Sequence, residues 1–384
     1  MKHHLYNPNF NFLQEPIDFD KNTAKGILQY CLGATLYMPA TKNILNKLLN
    51  KKLNEITSMV MCFEDAIQEQ DVDKAESNVL NHLDKIADAI GNGVLSLNDI
   101  PLIFLRVRNL IQFENFIKRL SSRQSKVLSG FVFPKFNSKN AGHYLKTLDY
   151  TGKKHDTTLY GMPILEGKEI AYLETRNTEL SNLKNILDPY KDIILNIRVG
   201  GTDFSSLFGV RRGINYSIYD IFSVRDCLAD ILNFFSRAED EYSVSAPVWE
   251  YFLADKGHNI DNVINKDIHK SLINRTPIID EAIDGLLREV IIDKANGFIG
   301  KTIIHPSHAR FVNAMQTVTK EEFEDAMQIL NTTGGVVKSQ NANKMNEINP
   351  HRSWAKKISY RAKAYGVVDD ELSFLKLISG KSKS

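Results

Sequence analysis

The sequence predicts an α/β protein: a closed (β/α)8 TIM barrel of parallel strands with a helical C-terminal extension. Three observations carry that expectation. Eight short runs rich in apolar and β-branched residues recur along the chain, each followed by a stretch of helical periodicity. Strand alternating with helix implies a parallel sheet covered by helices, and eight such units within ~250–300 residues are the size of a closed barrel. The rival, an open doubly wound sheet, usually carries a glycine-rich phosphate loop after its first strand. Here that position reads MPATKN, without glycine.

Residues 1–32 read as a polar and aromatic N-terminal segment with one short helical candidate around Asn22 to Tyr30, residues 33–335 as the barrel, and residues 336–384 as the extension. The first strand is Gly33 to Pro39, and its helix, Thr41 to Leu53, repeats Ile44, Leu45, Leu48 and Leu49. The second strand, Ser58 to Phe63, closes on Glu64-Asp65. Its helix, Asp71 to Ile90, sets Val79, Leu83, Ile86 and Ile90 on one stripe. Strand three is Leu102 to Val107, followed by an amphipathic segment through Phe113 and Ile117. Strand four is Gly130 to Pro134, with a helix near Asn140 to Leu148. Strand five is Thr158 to Leu165, followed by a long helix from Lys168 to Ile186. Strand six begins at Ile193 and opens at Gly200-Gly201-Thr202-Asp203, and its helix is Ser217 to Phe235. Strand seven is Ser243 to Pro247. A longer excursion with two helical candidates follows, ending in Asp280 to Lys294. Strand eight, Gly297 to Ile304, runs into His305-Pro306.

Composition narrows the function classes. With 43% hydrophobic residues in 384, the chain can bury a sizeable core. The net charge of +2, from 48 basic and 46 acidic residues, does not describe a surface built for nucleic acid. From Ser339 onward, nine Lys/Arg face four Asp/Glu. That basic tail is a solvated helical face or a contact for an anionic ligand or RNA. Cys31, Cys62 and Cys227 are far apart, lie in apolar runs and share no metal-ligand spacing, which predicts reduced, buried thiols of a cytoplasmic protein. No run approaches the ~20 apolar residues that span a bilayer, and the N-terminus lacks the apolar core of a signal peptide.

In a barrel the active site lies where strands end, because the loops there converge on one mouth. The polar residues ending these strands include Glu64-Asp65, Arg106 to Asn109, Lys135, Glu166, Asp203 and His305. Burying such groups unpaired costs several kcal/mol, so they pair, bind something or face water. Glu166 and Asp203 end adjacent strands. Two hard carboxylate ligands suit Mg2+ or Mn2+, which keep waters and accept substrate oxygens; two helix-capping carboxylates are the plainer reading. Arg106 and Arg108 share one side of strand three by alternation. A guanidinium there neutralises a substrate carboxylate or a developing enolate, or pairs with Glu64 or Asp65. Lys135 is a second candidate, as a Schiff-base nucleophile, ranked below metal chemistry. Arg211-Arg212 are placed to grip a phosphate or carboxylate. His305 is expected to orient its loop through a backbone hydrogen bond rather than to catalyse.

Taken in order, these residues resemble the citrate lyase β-subunit and HpcH/HpaI aldolase superfamily. LYMPATK resembles its first-strand segment, CFEDAI its Leu-Glu-Asp-Ala stretch, FLRVRN its Val-Arg-Val-Asn strand and FVFPK its Pro-Lys strand. PILEG resembles its Glu-containing strand, GGTDFSSLFG its Gly-x-x-Asp loop and GFIGKTIIHPSH its Gly-Lys-x-x-Ile-His-Pro segment. The matches run from about residue 33 to 330. Three features depart: Gly33-Ala34-Thr35 stands where the family usually has an arginine, Arg108 intervenes before Asn109, and the spacing from Glu166 to Asp203 is longer than in compact members. The tail resembles a subgroup, the carbon–carbon bond lyases of tellurium-resistance and stress gene clusters.

The resemblance implies a Mg2+-dependent carbon–carbon lyase acting on a 2-keto or hydroxy acid or an acyl-CoA-type substrate through a metal-stabilised enolate. It implies Glu166 and Asp203 as metal ligands and Arg106 as the catalytic arginine, with Glu64 or Asp65 orienting Arg106 or the metal's waters. Arg108, Lys135, Gly201, Thr202 and Arg211 are expected to meet the substrate. A homo-oligomer, a trimer or a multiple, is implied, with Glu347, His351 and Trp354 as candidates for a lid on a neighbour's site. A non-catalytic, ligand-sensing or partner-binding barrel and RNA binding through the tail are the alternatives.

Overall fold

The computed structural model describes residues 1–50, 52–65, 67–252, 271, 278–339 and 344–379. Seven strands form one parallel sheet: β1 (Ala34–Pro39), β2 (Ser58–Cys62), β3 (Leu102–Arg106), β4 (Gly130–Phe133), β5 (Tyr160–Leu165), β6 (Arg198–Val199) and β7 (Lys301–Ile303). Their order is β6-β5-β4-β3-β2-β1-β7. Residues 243–247, the expected strand seven, close the ring through single bridges, Ile197 to Val244 and Ala246 to Lys301, both parallel. Ser245 N–H donates to Ile197 O at 2.8 Å and Ile299 N–H to Val244 O at 2.7 Å. The sheet therefore closes into a barrel as the alternation predicted. The two helical candidates before Asp280 lie largely outside the described residues.

Period-two alternation sorts the strand residues between two cores. Met59, Met61, Ile103, Leu105, Phe131 and Phe133 pack outward against the helices. Val60, Phe104, Val132, Met162 and Ile164 fill the barrel interior. The outer helices follow from amphipathic stripes. Helix Val72–Gly91 buries Val79, Leu83 and Ile86, and helix Leu110–Arg119 buries Phe113, Phe116 and Ile117 behind an Asn109 cap.

The base of the interior, at the N-terminal ends of the strands, is sealed by both chain ends. Met1, Phe19, Leu28, Tyr30, Cys31 and Tyr365 join the interior core. His3 hydrogen-bonds Cys31 O at 3.1 Å and His4 bonds Tyr365 O at 3.1 Å. The extension is not purely helical: Val336–Lys338 and Met345–Glu347 pair antiparallel, and Val367–Val368 pairs with Val318–Thr319. Two of its basic residues pair with acids, Lys344 with Glu321 and Asp325 and Lys357 with Glu241, so part of the tail's excess charge is neutralised by its own fold. Trp354 lines a groove of about 790 Å³ beside Lys294 and Gly297. That groove lies at the start of β7, away from the strands' C-terminal ends. Among the described residues, no helix is long and apolar enough to cross a membrane.

Candidate active site

A cavity of about 770 Å³ opens at the C-terminal ends of the strands. Interior-facing residues line it: Tyr37 of β1, Cys62 of β2, Arg106 of β3, Glu166 after β5, Arg198 of β6 and Thr302 of β7. Alternation dictates that set, since Leu105, Leu165, Val199 and Ile303 beside them pack outward.

Glu166 is 4% exposed. Its Oε1 accepts the backbone N–H of Lys135 at 2.8 Å. Lys135 adopts φ +48°, a left-handed conformation uncommon outside glycine, and that turn after β4 delivers its N–H to the carboxylate. Oε2 turns toward Gly200. A Cβ placed on Gly200 would lie 2.6 Å from Glu166 Oε2 and 3.1 Å from Asp203 Oδ2. The two acids thus converge over a backbone with no side chain, and only glycine permits the approach. Asp203 sits in the first turn of the short helix Gly201–Leu207. Burial pushes the Glu166 carboxyl up to about 8, and the nearby Asp203 charge adds to it.

Arg106 holds the opposite wall. Its guanidinium lies 2.6 Å from Glu64 Oε2, 2.6 Å from Asp65 Oδ2 and 3.6 Å from Glu166 Oε1. The Glu64 contact is a charge contact without hydrogen-bond alignment. Burial alone would lower the Arg106 pKa; the Glu166 and Glu64 carboxylates more than offset it and keep the guanidinium charged. Lys135 Nζ donates to Glu64 Oε1 at 2.8 Å. That hydrogen bond raises the ammonium pKa, which favours the charged form over the free amine that a Schiff-base nucleophile needs.

The remaining candidates divide. Gly201, Thr202 and Arg211 line the cavity, and Thr202 Oγ1 reaches Glu250 Oε1 at 3.3 Å. Arg108 does not line it. β3 ends at Arg106, so alternation no longer governs Arg108, whose guanidinium braces the following loop through Ile67 O (3.1 Å) and Glu69 (2.8 Å). Arg212 is no anion grip either: it is buried against Glu289 at 2.5 Å and stacked over Trp249. His305 Nδ1 accepts the backbone N–H of Ser307 at 3.3 Å and caps its own turn. Arg198 is the cavity residue that the motif reading passed over. Its signal was present in Ile197-Arg198-Val199, where two outward apolar neighbours force the arginine inward.

The donor set fits a hard dication. Two carboxylates that meet with no cation closer than the 3.6 Å contact of Arg106 to Glu166, one of them with a raised pKa, are the charge pattern Mg2+ or Mn2+ would relieve, with waters completing the shell. Among the described residues, no three or more His, Cys, Asp or Glu side chains group so as to hold a metal ion, so the two carboxylates would leave most of the shell to water or substrate oxygens.

No curated protein matches the sequence. Among solved structures, CitE from Mycobacterium tuberculosis, in complex with magnesium, acetoacetate and coenzyme A, is similar with a TM-score of 0.52 and 14% identity, covering 87% of this chain and 99% of that one. RipC from Yersinia pestis gives 0.47 and 16%, covering 77% and 99%. Haloferax volcanii malate synthase, as its magnesium/glyoxylate complex, gives 0.48 and 11%, covering 72% of each. At these identities the likeness is one of fold. The sequence profile of the carbon–carbon bond lyases of the TIM-barrel fold matches residues 26–367. With that match spanning most of the chain and the acidic mouth described above, the chain belongs to the C–C bond lyase family of the TIM-barrel fold.

Proposed function

We propose that this lyase depends on Mg2+ or Mn2+, held by Glu166 and Asp203, and cleaves a 2-keto or hydroxy acid or an acyl-CoA-type substrate. The convergence of those two carboxylates over Gly200 carries the proposal. When bound, the dication supplies Lewis-acid stabilisation of the enolate released on cleavage, worth several kcal/mol. The chain's own groups do the rest. Arg106 presents a second positive charge beside Glu166 for the developing oxyanion. Glu64 and Asp65 fix its plane, and Lys135 fixes Glu64. Gly200 keeps the acids close, and Thr202 and Arg211 rim the opening. The three buried free cysteines fit a cytoplasmic enzyme. Membership of the tellurium-resistance subgroup, a trimeric assembly and a lid from Glu347, His351 and Trp354 belong to the same proposal.

The test combines calorimetric Mg2+ titration of the wild type and Asp203→Asn with a mass-spectrometric metabolite screen run with and without Mg2+. Metal uptake by the wild type alone, together with metal-dependent consumption of a keto or hydroxy acid or a thioester, supports the reading. No uptake and no turnover by the wild type refute it.

A further inference from the structure

Among the described residues lining this cavity, Arg198 and Arg211 form no ion pair, and of the two Arg198 is the buried one. Arg198 is 1% exposed. Its Nη2 donates to Thr302 Oγ1 at 2.7 Å, and its Nη1 lies 3.4 Å from Thr35 Oγ1. Its Nε has no hydrogen-bond partner. The guanidinium lies 5.4 Å from the centre of the Tyr37 ring. Among the described residues, no carboxylate forms an ion pair with it; of the other buried arginines, Arg106, Arg176 and Arg212 hold Glu64, Asp230 and Glu289 respectively, and Arg361, which does not line this cavity, forms none. A buried charge without a counterion is costly to keep. The cost is offset when a ligand brings the missing anion.

We propose that Arg198 recognises a second anionic group of the substrate, a carboxylate or a phosphorus oxyanion, and so sets substrate specificity. The inference rests on the reading of Glu166 and Asp203 as the dication site. Register supports it. Ile164 pairs with Arg198 across β5 and β6, and Glu166 lies two residues further toward the mouth. Two residues of strand are roughly 7 Å, so Arg198 sits one interior layer beneath the carboxylate pair. A short keto acid with its head at the pair and a second anionic group pointing down the barrel spans that distance. A keto acid ending in a methyl group leaves the guanidinium unmatched. Arg106 is already engaged by Glu64 and Asp65 and cannot serve both ends.

Two measurements test this. With saturating Mg2+, calorimetry compares pyruvate, which lacks the second anion, with 2-oxoglutarate and phosphonopyruvate, which carry a carboxylate and a phosphonate. The wild type should bind one of the dianionic probes about tenfold or more tighter than pyruvate, as expected of one charge-assisted pair. Which probe gains distinguishes carboxylate from phosphonate. In Arg198→Met the ratio should collapse to about one. A wild-type ratio near one, or a ratio that survives the substitution, overturns the proposal. Should the wild type bind no Mg2+, the dication reading fails instead, and thermal melting of the ligand-free proteins decides Arg198 alone. An unmatched charge predicts that Arg198→Met melts higher than the wild type. A lower melting temperature assigns the arginine to structure and overturns the proposal.

Discussion

This barrel carries two ionic clusters, one behind β7 and one at its mouth, and they differ in what they leave over. Behind β7, Arg212 and Lys301 meet Glu289 and Asp293 at 2.5, 3.1 and 2.8 Å. Tyr219 OH donates to Asp293, and the Ile218 N–H donates to Glu289. Two cations meet two anions whose four side chains are at most 2% exposed, and Arg212 also reaches the part-buried Glu250 at 3.4 Å. At the mouth, Arg106 and Lys135 are taken up by Glu64 and Asp65. Glu166 keeps only a 3.6 Å contact with Arg106, and Asp203 forms no ion pair among the described residues. The first cluster clamps β7 to helix Glu281–Ala295. The second holds surplus negative charge facing a cavity. The lesson is that burial and charge alone do not mark a site; an unbalanced set with an opening does.

The largest expected effect breaks the comparison at the mouth. Asp203→Asn and Glu166→Gln should lower turnover by about a thousandfold, the equivalent of losing several kcal/mol of Lewis-acid stabilisation, while leaving thermal stability equal to or above the wild type. Comparable turnover in Asp203→Asn would show the pair to be structural. Next, Glu289→Ala should cost ~3–5 kcal/mol in denaturant unfolding, because it removes the buried carboxylate that Arg212 and Lys301 share and leaves Arg212 only the 3.4 Å contact with Glu250. A loss below about 1 kcal/mol would make that cluster no clamp. Third, Mg2+ at about one hundred times its Kd should stabilise the wild type by ~2.7 kcal/mol, read as a rise in Tm, and should do nothing for Asp203→Asn. An equal rise in both proteins would move the metal elsewhere.

The smallest effect places an acid response outside both clusters, at the base. Burial holds the His4 imidazole near a pKa of about 3, against 6.5 when free. A depressed histidine pKa favours the neutral form in the fold. Its stabilisation is therefore present above 6.5 and is lost as pH falls toward about 3. Acidification from neutrality to about pH 5 should cost ~2 kcal/mol through this residue. His4→Asn, which tolerates the φ of +66° at this position, should flatten the slope of stability against pH. An unchanged slope in that variant assigns the acid response to other groups.

How much of the site was legible depended on what each signal measures. Glu166 and Asp203 stood out because a carboxylate ending an apolar run is conspicuous in one dimension, and the structure brings them together. Arg106 followed from strand parity. Arg108 and Arg212 misled because parity stops where the strand stops, and because two adjacent arginines in a loop give no hint that one is buried under Trp249. Lys301, part of the quoted Gly-Lys segment, turned out to clamp a helix, a role decided by residues eight and twelve positions earlier in the chain. Arg198 was readable from its neighbours, but only once the sheet was known to close around it.

Sequence alone determined the order of strand and helix, the closed parallel sheet and the two acids at its mouth, because periodicity and the burial cost of charge act locally along the chain. Only tertiary structure decided which cations those acids meet, that Gly200 lets Glu166 and Asp203 approach, and that Arg198 goes unmatched. Charge pairing depends on distances between strands far apart in sequence, and those distances exist only after the barrel has closed.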